Sequence, residues 1–250
     1  MLPLLTDLTL ALDPARLFRR VVGGAPDPWQ TRVLRSEARQ IILNCSRQSG
    51  KSTSTAALAL HTALYHAPAL ILAVTPTLRQ SQEVFRKVAD GYRIMAPDVP
   101  AVAESALRLE LTNGSRIIAL PGDESTIRSY SAVSLLIVDE ASRVPDEVYY
   151  AVRPMLAVSQ GRIVLLSTPH GKQGFFYEAW TQGGPAWHRE EVPASDIPRI
   201  SAVFLAEERA ALGFWYGQEY ENLFLDTASQ LFSSIDIDAA VRDDVAPLWG

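Results

Sequence analysis

The sequence lacks the features that mark secreted, membrane-spanning or cysteine-clustered proteins. Its 250 residues include a single cysteine, Cys45, which excludes an internal disulfide and a zinc site built from several cysteines. No segment reaches the roughly 18 uninterrupted apolar residues of a membrane span. The apolar N-terminus is interrupted by Asp7 and Asp13, with no basic stretch before it and no cleavage site after it. We therefore expect an intracellular protein without a secretion leader or a membrane anchor.

Positive charge is also scarce. The 23 Lys and Arg residues are outnumbered by 28 Asp and Glu, for a net charge of -5, which argues against a surface that coats nucleic acid throughout. Enough cations remain to line one local track. The four histidines show no metal-ligand spacing. A hydrophobic content of 48% at this length indicates one large domain, or one domain with a small appendage.

Short apolar runs alternate with segments of helical pattern, which is typical of an α/β fold. Four runs have strand length and are apolar throughout, as expected for strands buried on both faces of a mostly parallel sheet; they are residues 39–44, 69–75, 134–139 and 162–168. Helical segments long enough for crossover connections follow the first three runs. A further segment, 107–120, alternates apolar and polar residues around Asn113-Gly114, which predicts a β-hairpin inserted into this rhythm.

The two ends of the pattern differ from its middle. Asp27 and Pro28 are typical of a helix N-cap and first turn, so a short helix carrying Trp29 and Gln30 is predicted before the first strand. After residue 200 the chain becomes helix-rich and aromatic, without another clear buried strand. We expect a core domain over residues 1–200 and a small helical linker or lid subdomain over residues 201–250.

Residues 44–53, with the sequence NCSRQSGKST, nearly match the phosphate-binding pattern G-x-x-x-x-G-K-[ST], but Cys45 replaces the first glycine. The segment lies between an apolar strand and a helix, where backbone N–H groups and a helix N-terminus bind anionic oxygens. Lys51 can reach the β- and γ-phosphates of ATP, and Ser52 can ligate Mg²⁺. The remaining loop residues expected around the nucleotide are Ser46, Gln48, Ser49, Gly50 and Thr53.

Two further strand ends carry polar residues that suit nucleotide hydrolysis. The apolar run 134–139 ends in Asp139 and Glu140, which as neighbours on a strand point in different directions. Asp139 can join the Mg²⁺ shell and Glu140 can act as general base toward the attacking water. The next run ends in Ser167 and Thr168, whose hydroxyls can sense the γ-phosphate. Ligands in such sheets bind at the carboxyl ends of the strands, where all these residues are expected.

The combination of "SRQSGKS", "LLIVDEAS" and "LLSTP", preceded by "PWQ" and followed by "GQEYENLFLD", resembles the ATPase domain of the large terminase subunits that package DNA in tailed bacteriophages and herpesviruses. The resemblance covers about residues 27–232. It implies a P-loop NTPase of the additional-strand (ASCE) type that hydrolyses ATP with Mg²⁺ and translocates double-stranded DNA. It also implies a homo-oligomeric ring, a pentamer in this family, that meets a portal protein and a small terminase subunit at the viral procapsid in the host cytoplasm.

The resemblance assigns roles to individual residues. Trp29 and Gln30 match the adenine-recognition motif, in which the glutamine pairs with the adenine edge and the adjacent aromatic ring stacks. Ser167 and Thr168 match the coupling motif, which relays hydrolysis into motion.

Three arginines are candidates for catalytic or sensing roles, and two of them match positions in the family. Arg47 matches an arginine inside the phosphate loop that acts in cis on the phosphates or senses their loss. Arg128, in the "TIR" element, matches an arginine finger that reaches the ATP of a neighbouring subunit. Arg143 competes with Arg128 for this trans role because it follows the acidic pair closely in sequence.

Contacts to DNA and the end of the chain give weaker patterns. Arg86, Lys87 and Arg93 lie on one predicted helix and are candidates for phosphate contacts, although a solvated helix face explains them equally well. Large terminases usually continue into a ribonuclease H-type nuclease domain, and no further sheet follows here to hold the last acidic residues. We therefore expect no nuclease activity and an isolated domain of a longer protein.

Two alternative functions stay open at this stage. A helicase-like or restriction-type DNA translocase shares the phosphate loop and the acidic pair, but such enzymes need a second motor domain. A nucleotide-gated assembly module without efficient hydrolysis would explain Cys45 as the mark of a degenerate loop. The presence of Lys51, Ser52, Asp139 and Glu140 disfavours that second reading.

Overall fold

The computed structural model describes residues 4–96, 98–122, 127, 130–226 and 240. Within this part of the chain the strands are β1 (Gln40–Cys45), β2 (Leu70–Thr75), β3 (Ala101–Glu104), β4 (Arg108–Leu111), β5 (Arg116–Pro121), β6 (Leu135–Asp139), β7 (Arg162–Ser167) and β8 (Trp187–Val192). These eight strands form one sheet in the order β3-β4-β5-β2-β6-β7-β1-β8.

Helices cover both faces of this sheet. Their bounds are α1 (Leu4–Leu12), α2 (Pro14–Val22), α3 (Pro28–Arg35), α4 (Lys51–Tyr65), α5 (Leu78–Met95), α6 (Asp146–Val152), α7 (Gly174–Gln182), α8 (Ala202–Leu212) and α9 (Trp215–Tyr220). In the part of the chain that the structure describes, no helix is long and apolar enough to cross a membrane.

The central strands pair in parallel, as the continuous apolar runs predict. β2 pairs with β5 and β6, β6 with β7, and β1 with β7 and β8, all in parallel register. β7 therefore lies between β1, which leads into the phosphate loop, and β6, which ends in the acidic pair. This intervening strand is the arrangement expected of the additional-strand type, and the predicted α/β fold class is confirmed.

The predicted hairpin is present, and its strands are part of the main sheet. β4 and β5 are antiparallel and flank a turn in which Gly114 adopts a positive φ of +85°. Asn113 supports the turn, because its Oδ1 accepts a hydrogen bond from the Ser115 N–H at 3.0 Å. β5 then runs parallel to β2 in the same sheet. The hairpin and β3, which pairs with β4, thus extend the main sheet by three strands at one edge.

Alternate residues of β1 point to opposite sides and so join two separate cores. Ile41, Leu43 and Cys45 pack on the side of α4 and α5. Ile42 packs on the other side with Phe175 and the rest of the α6–α7 layer. Burial on both faces explains why this strand is apolar without alternation.

Helices α1 and α2 and strand β8 were not predicted from sequence. α2 begins as α3 does, with an Asp-Pro pair: the Asp13 Oδ1 accepts the Ala15 N–H at 3.0 Å. β8 is the edge strand beside β1, and only its Trp187, Glu190 and Val192 are buried. Its charged residues therefore hide it from a search for continuous apolar runs. The proposed boundary at residue 200 stays a prediction.

Candidate active site

The phosphate loop connects the end of β1 at Cys45 to the start of α4 at Lys51. The hydroxyls of Ser46 and Ser49 are buried in this loop and have no hydrogen-bond partner among the described residues. Buried hydroxyls normally find a partner, and unpaired ones at a helix N-terminus suit an anion such as a phosphate. Gln48 is exposed and adopts a positive φ of +60°, while Ser52 and Thr53 are half-buried in the first turn of α4. The loop therefore fits a nucleotide phosphate group.

Gly50 occupies a position in this loop where any other residue would be strained. Its φ is +89°, and a Cβ at this position would lie 3.0 Å from Gln30 Nε2. An L-residue is strained at positive φ even where space is open. The loop thus keeps the one glycine that its geometry requires.

Cys45 stands where the loop leaves β1 and takes no part in binding through its thiol. Its side chain is fully buried in the core beneath α4. Burial raises the pKa of Cys45 to about 12, although the nearby Lys51 ammonium acts in the opposite direction. The first glycine of the usual pattern is therefore replaced by a residue that packs in the core.

The two motifs that are distant in sequence meet at Lys51 and Glu140. Lys51 Nζ lies 3.3 Å from Glu140 Oε1, and the two side chains are only 8% and 24% exposed. Both residues lie at the carboxyl edge of the sheet, as the strand-end argument predicts. A lysine ammonium and a carboxylate are thus held side by side at this edge.

Asp139 lies directly behind this pair at the end of β6. Burial and the neighbouring Glu140 carboxylate raise the pKa of Asp139, while the Lys51 ammonium and the Ser52 hydroxyl lower it. A buried carboxylate beside a serine hydroxyl is a hard oxygen donor set, which suits Mg²⁺. Ser52 and Asp139 are therefore the side chains that fit the predicted metal.

The backbone at Glu140 is strained in a way that aims its side chain. Glu140 adopts left-handed angles, φ 52° and ψ 44°, and its N–H donates to Asp139 Oδ1 at 2.9 Å. A non-glycine residue in this region costs roughly 1–2 kcal/mol, which the surrounding structure must offset. The sharp turn ends β6 and leaves the Glu140 carboxylate beside Lys51.

Ser167 and Thr168 are buried and are tied to the loop that follows Glu140. The Ser142 and Ser167 hydroxyls lie 2.7 Å apart, and the Ser142 Oγ also donates to the Thr168 carbonyl oxygen at 2.7 Å. The Ser142 N–H donates to Ser167 Oγ at 3.2 Å. Ser142, which the sequence analysis did not single out, therefore joins the ends of β6 and β7. No sequence signal distinguishes it from any other serine after an acidic pair.

Arg47 extends away from the loop toward the C-terminal helices. Its guanidinium pairs with the Glu219 carboxylate of α9. The backbone N–H of Arg47 also donates to the Glu219 carbonyl oxygen at 3.3 Å. A second contact follows nearby, because Asn44 Nδ2 donates to the Asn222 carbonyl oxygen at 3.0 Å. The phosphate loop is thus attached to the segment after residue 200 by main-chain and side-chain bonds, a partnership that the sequence analysis missed.

Trp29 and Gln30 occupy very different environments. The Trp29 ring is buried in the core with only 4% of the residue exposed. Gln30 reaches the phosphate loop: its Nε2 donates to the Gly50 carbonyl oxygen at 3.5 Å, and its Oε1 accepts the Asp27 N–H at 2.8 Å. The structure therefore brings Gln30 to the nucleotide site and places the Trp29 ring in the interior. Their adenine-recognition role stays a prediction.

The two candidates for an arginine that acts in trans are located differently. Arg143 is exposed in the 3₁₀ turn after Glu140. It lies near His170, whose pKa is lowered by burial and by the Arg143 charge. Arg128 lies outside the described residues, as do the acidic residues near the C-terminus.

The candidate DNA-binding residues lie along α5, and two of the three are already paired. Arg86 pairs with Glu83, and Arg93 pairs with Asp90 at 3.0 Å. Lys87 is half-buried on the same helix. Each arginine thus has an acidic partner that a phosphate would have to displace.

The chain is similar to known proteins in sequence and in fold. The family model described as "Terminase large subunit, T4likevirus-type, N-terminal" matches residues 42–237. The large terminase subunits of Thermus virus P23-45 and Thermus phage G20c are each 25% identical over 263 residues, covering 90% of this chain and 54% of the relative. The chain spans about half the length of these curated relatives.

Solved terminase structures share the fold. The ATPase domain of the Thermus phage P74-26 large terminase superposes with a TM-score of 0.76 at 22% identity, covering 85% of this chain and 99% of that domain. The large terminase of bacteriophage HK97 gives a TM-score of 0.69 at 16% identity over 86% of this chain and 55% of its own. The large terminase of another thermophilic bacteriophage, in complex with ADP, gives 0.63 at 12% identity, covering 84% and 53%.

Proposed function

Because the chain belongs to the large terminase subunit family, we propose that it is an ATP-hydrolysing motor domain that couples hydrolysis to translocation of double-stranded DNA into a viral capsid. The observation that carries this proposal is the 3.3 Å contact between Lys51 and Glu140 at the end of the phosphate loop. This contact supports the proposal because it holds a lysine suited to bind phosphates beside a carboxylate suited to act as general base. The large terminase of one thermophilic bacteriophage, described in complex with ADP and with ATP-γ-S, supports a nucleotide as the ligand.

The phosphates of ATP would lie against the loop before α4. The N-terminus of α4 and the backbone N–H groups of the loop offer positive potential, and the unpaired Ser46 and Ser49 hydroxyls can donate to phosphate oxygens. Lys51 would contact the β- and γ-phosphates. Mg²⁺ held by Ser52 and Asp139 would neutralise charge that develops on the phosphate oxygens.

Glu140 would act as the general base. Its ion pair with Lys51 keeps the carboxylate in place before the nucleotide binds, and the γ-phosphate then competes for the lysine. Glu140 accepts a proton from water as the water oxygen bonds to the γ-phosphorus and the bond to the bridging oxygen of ADP breaks. Base catalysis of this kind typically contributes a factor of about 10²–10⁴ in rate.

The effect of hydrolysis would be transmitted through the contacts that connect the site to neighbouring elements. Ser142 and Ser167 connect the ends of β6 and β7, and Arg47 connects the loop to Glu219 in α9. A change at the γ-phosphate can therefore reach both the sheet and the C-terminal helices, which we propose act as the lid. Arg128 would act on the ATP of a neighbouring subunit in a homo-oligomeric ring, with portal protein and small terminase subunit as further partners at the procapsid.

The test of this function replaces Glu140 by glutamine, which keeps size and removes the base. We expect Glu140→Gln to lower ATP turnover by a factor of at least about 10² while ADP binding, measured with a fluorescent analogue, is retained. Glu147→Gln is the matched control, since Glu147 is an exposed carboxylate on α6, away from the phosphate loop. Unchanged turnover in a Glu140→Gln protein that still binds ATP would contradict the assignment.

A further inference from the structure

Arg199, in the connection between β8 and α8, reaches back to the phosphate loop. Its Nη1 and Nη2 donate to the two carboxylate oxygens of Asp27 at 2.9 and 2.8 Å. Nη2 also donates to the carbonyl oxygen of Ser49 at 3.2 Å. One guanidinium therefore joins the start of α3, the phosphate loop and the chain segment just before α8.

The bond to Ser49 controls the direction of a neighbouring N–H group. A trans peptide unit is planar, so its C=O and the N–H of the next residue point in opposite directions. Arg199 donates to the Ser49 carbonyl oxygen and so holds this C=O toward itself. The N–H of Gly50 consequently points away from the Arg199 guanidinium.

The position of Arg199 is itself fixed by its acidic partner. The Asp27 side chain is only 9% exposed and lies at the N-terminus of α3. The backbone N–H of Asp27 donates to Gln30 Oε1. The planar fork of arginine matches a carboxylate through two parallel hydrogen bonds and still has donors left for a carbonyl. Lysine has no such fork, so the geometry is specific to arginine.

Arg199 also lies at the base of the C-terminal helices. Ser201, two residues later, is the N-cap of α8, and its Oγ accepts the Phe204 N–H at 3.2 Å. A displacement of α8 would therefore pull on the residue that orients the loop. The loop is thereby connected to α8 through Arg199, independently of the contact between Arg47 and α9.

We propose that Arg199 is a positioning residue for nucleotide binding, which holds the Ser49–Gly50 peptide in the orientation that binds phosphate. The proposal rests on the proposed function of the phosphate loop. Arg199 acts through the loop backbone and not on the reacting atoms, so its loss should weaken nucleotide binding more than it slows turnover at saturation.

The experiment compares Arg199→Ala with Arg32→Ala. Arg32 on α3 forms a similar bidentate pair with Glu190, at 2.7 and 2.7 Å. The arginine and carboxylate side chains are 57% and 8% exposed there, against 54% and 9% in the Arg199 pair. No loop carbonyl is bonded to Arg32 among the described residues, so the control loses an equivalent pair without the loop contact.

We expect Arg199→Ala to weaken ADP binding, and to raise the KM for ATP, roughly tenfold, as for the loss of a hydrogen bond from a charged donor. The kcat at saturation should change less than about threefold. Arg32→Ala should leave ADP affinity unchanged, and Arg199→Lys should recover only part of the loss. Urea unfolding of each variant shows whether the fold is intact.

Equal ADP affinities for the wild type, Arg199→Ala and Arg32→Ala would overturn the proposal, and so would an equal loss in both variants. A loss of kcat at unchanged KM would also overturn it. ADP binding requires no turnover, so this outcome is separate from that of the proposed function. A wild-type chain that binds ADP but never hydrolyses ATP would refute the function and leave the role of Arg199 standing.

Discussion

Replacing Gly50 by alanine separates the conformation of the phosphate loop from its side-chain chemistry. Gly50 has φ +89°, and the added methyl group would meet Gln30 Nε2 at 3.0 Å. Left-handed backbone costs an L-residue about 1–2 kcal/mol. The free variant can relax this strain by moving the loop, so a nucleotide must restore the strained conformation when it binds. An affinity loss of roughly 5- to 30-fold follows, since 1.4 kcal/mol corresponds to a factor of ten.

The hairpin offers a matched control for this substitution. Gly114 has φ +85°, and its added methyl group would meet Pro68 Cβ at 3.3 Å. Gly114→Ala should therefore lower the free energy of unfolding in urea by about 1–2 kcal/mol, the cost of left-handed backbone. It should leave ADP affinity unchanged. Titration with a fluorescent ADP analogue measures the difference. A Gly50→Ala protein that binds ADP as tightly as the Gly114→Ala control would refute the proposed link between loop geometry and nucleotide binding.

Two further predictions concern assembly and pH. Arg128→Ala should lower ATP turnover in assembled rings and have little effect in dilute monomer, because the arginine acts on a neighbouring subunit; an equal loss in both would argue against a role in trans. Burial raises the pKa of Glu190, but hydrogen bonds from Arg32 and His188 outweigh it and leave the pKa below the ordinary 4.5. Since the folded-state pKa is depressed, this stabilisation is present above about pH 4.5 and is lost as pH falls through the folded pKa. Glu190→Gln should therefore flatten the acid side of the stability curve from urea unfolding, and an unchanged curve would contradict it.

The sequence predicted the central sheet because those strands are buried on both faces. Such strands must be apolar at every position, and β1, β2, β6 and β7 each lie within one residue of their predicted runs. β8 has a neighbour on one side only and carries His188, Arg189 and Glu190, so its pattern is not distinguishable from that of a loop. The start of α2 was accessible, because Asp13-Pro14 repeats the capping signal of Asp27-Pro28.

Some contacts of the candidate site were predictable from sequence and others were not. Lys51, Asp139 and Glu140 meet because the ends of parallel strands share one edge, and that rule is available from sequence. Arg199, Ser142 and Glu219 act through contacts between segments whose relative placement no periodicity specifies. Gln30 shows the limit most clearly: its place on a capped helix was predicted, but its bond to the Gly50 carbonyl depends on how α3 packs beside the loop.

The burial of Cys45 has a practical consequence for experiments on the motion of this domain. Alkylating dyes react with thiolates, and a fully buried thiol with a pKa of about 12 presents almost none at neutral pH. The sequence contains no other cysteine. A single cysteine introduced at an exposed position, such as Val203 on α8, should therefore be labelled selectively in the native protein. Fluorescence reporters of α8 movement can be attached without first altering the strand that leads into the phosphate loop.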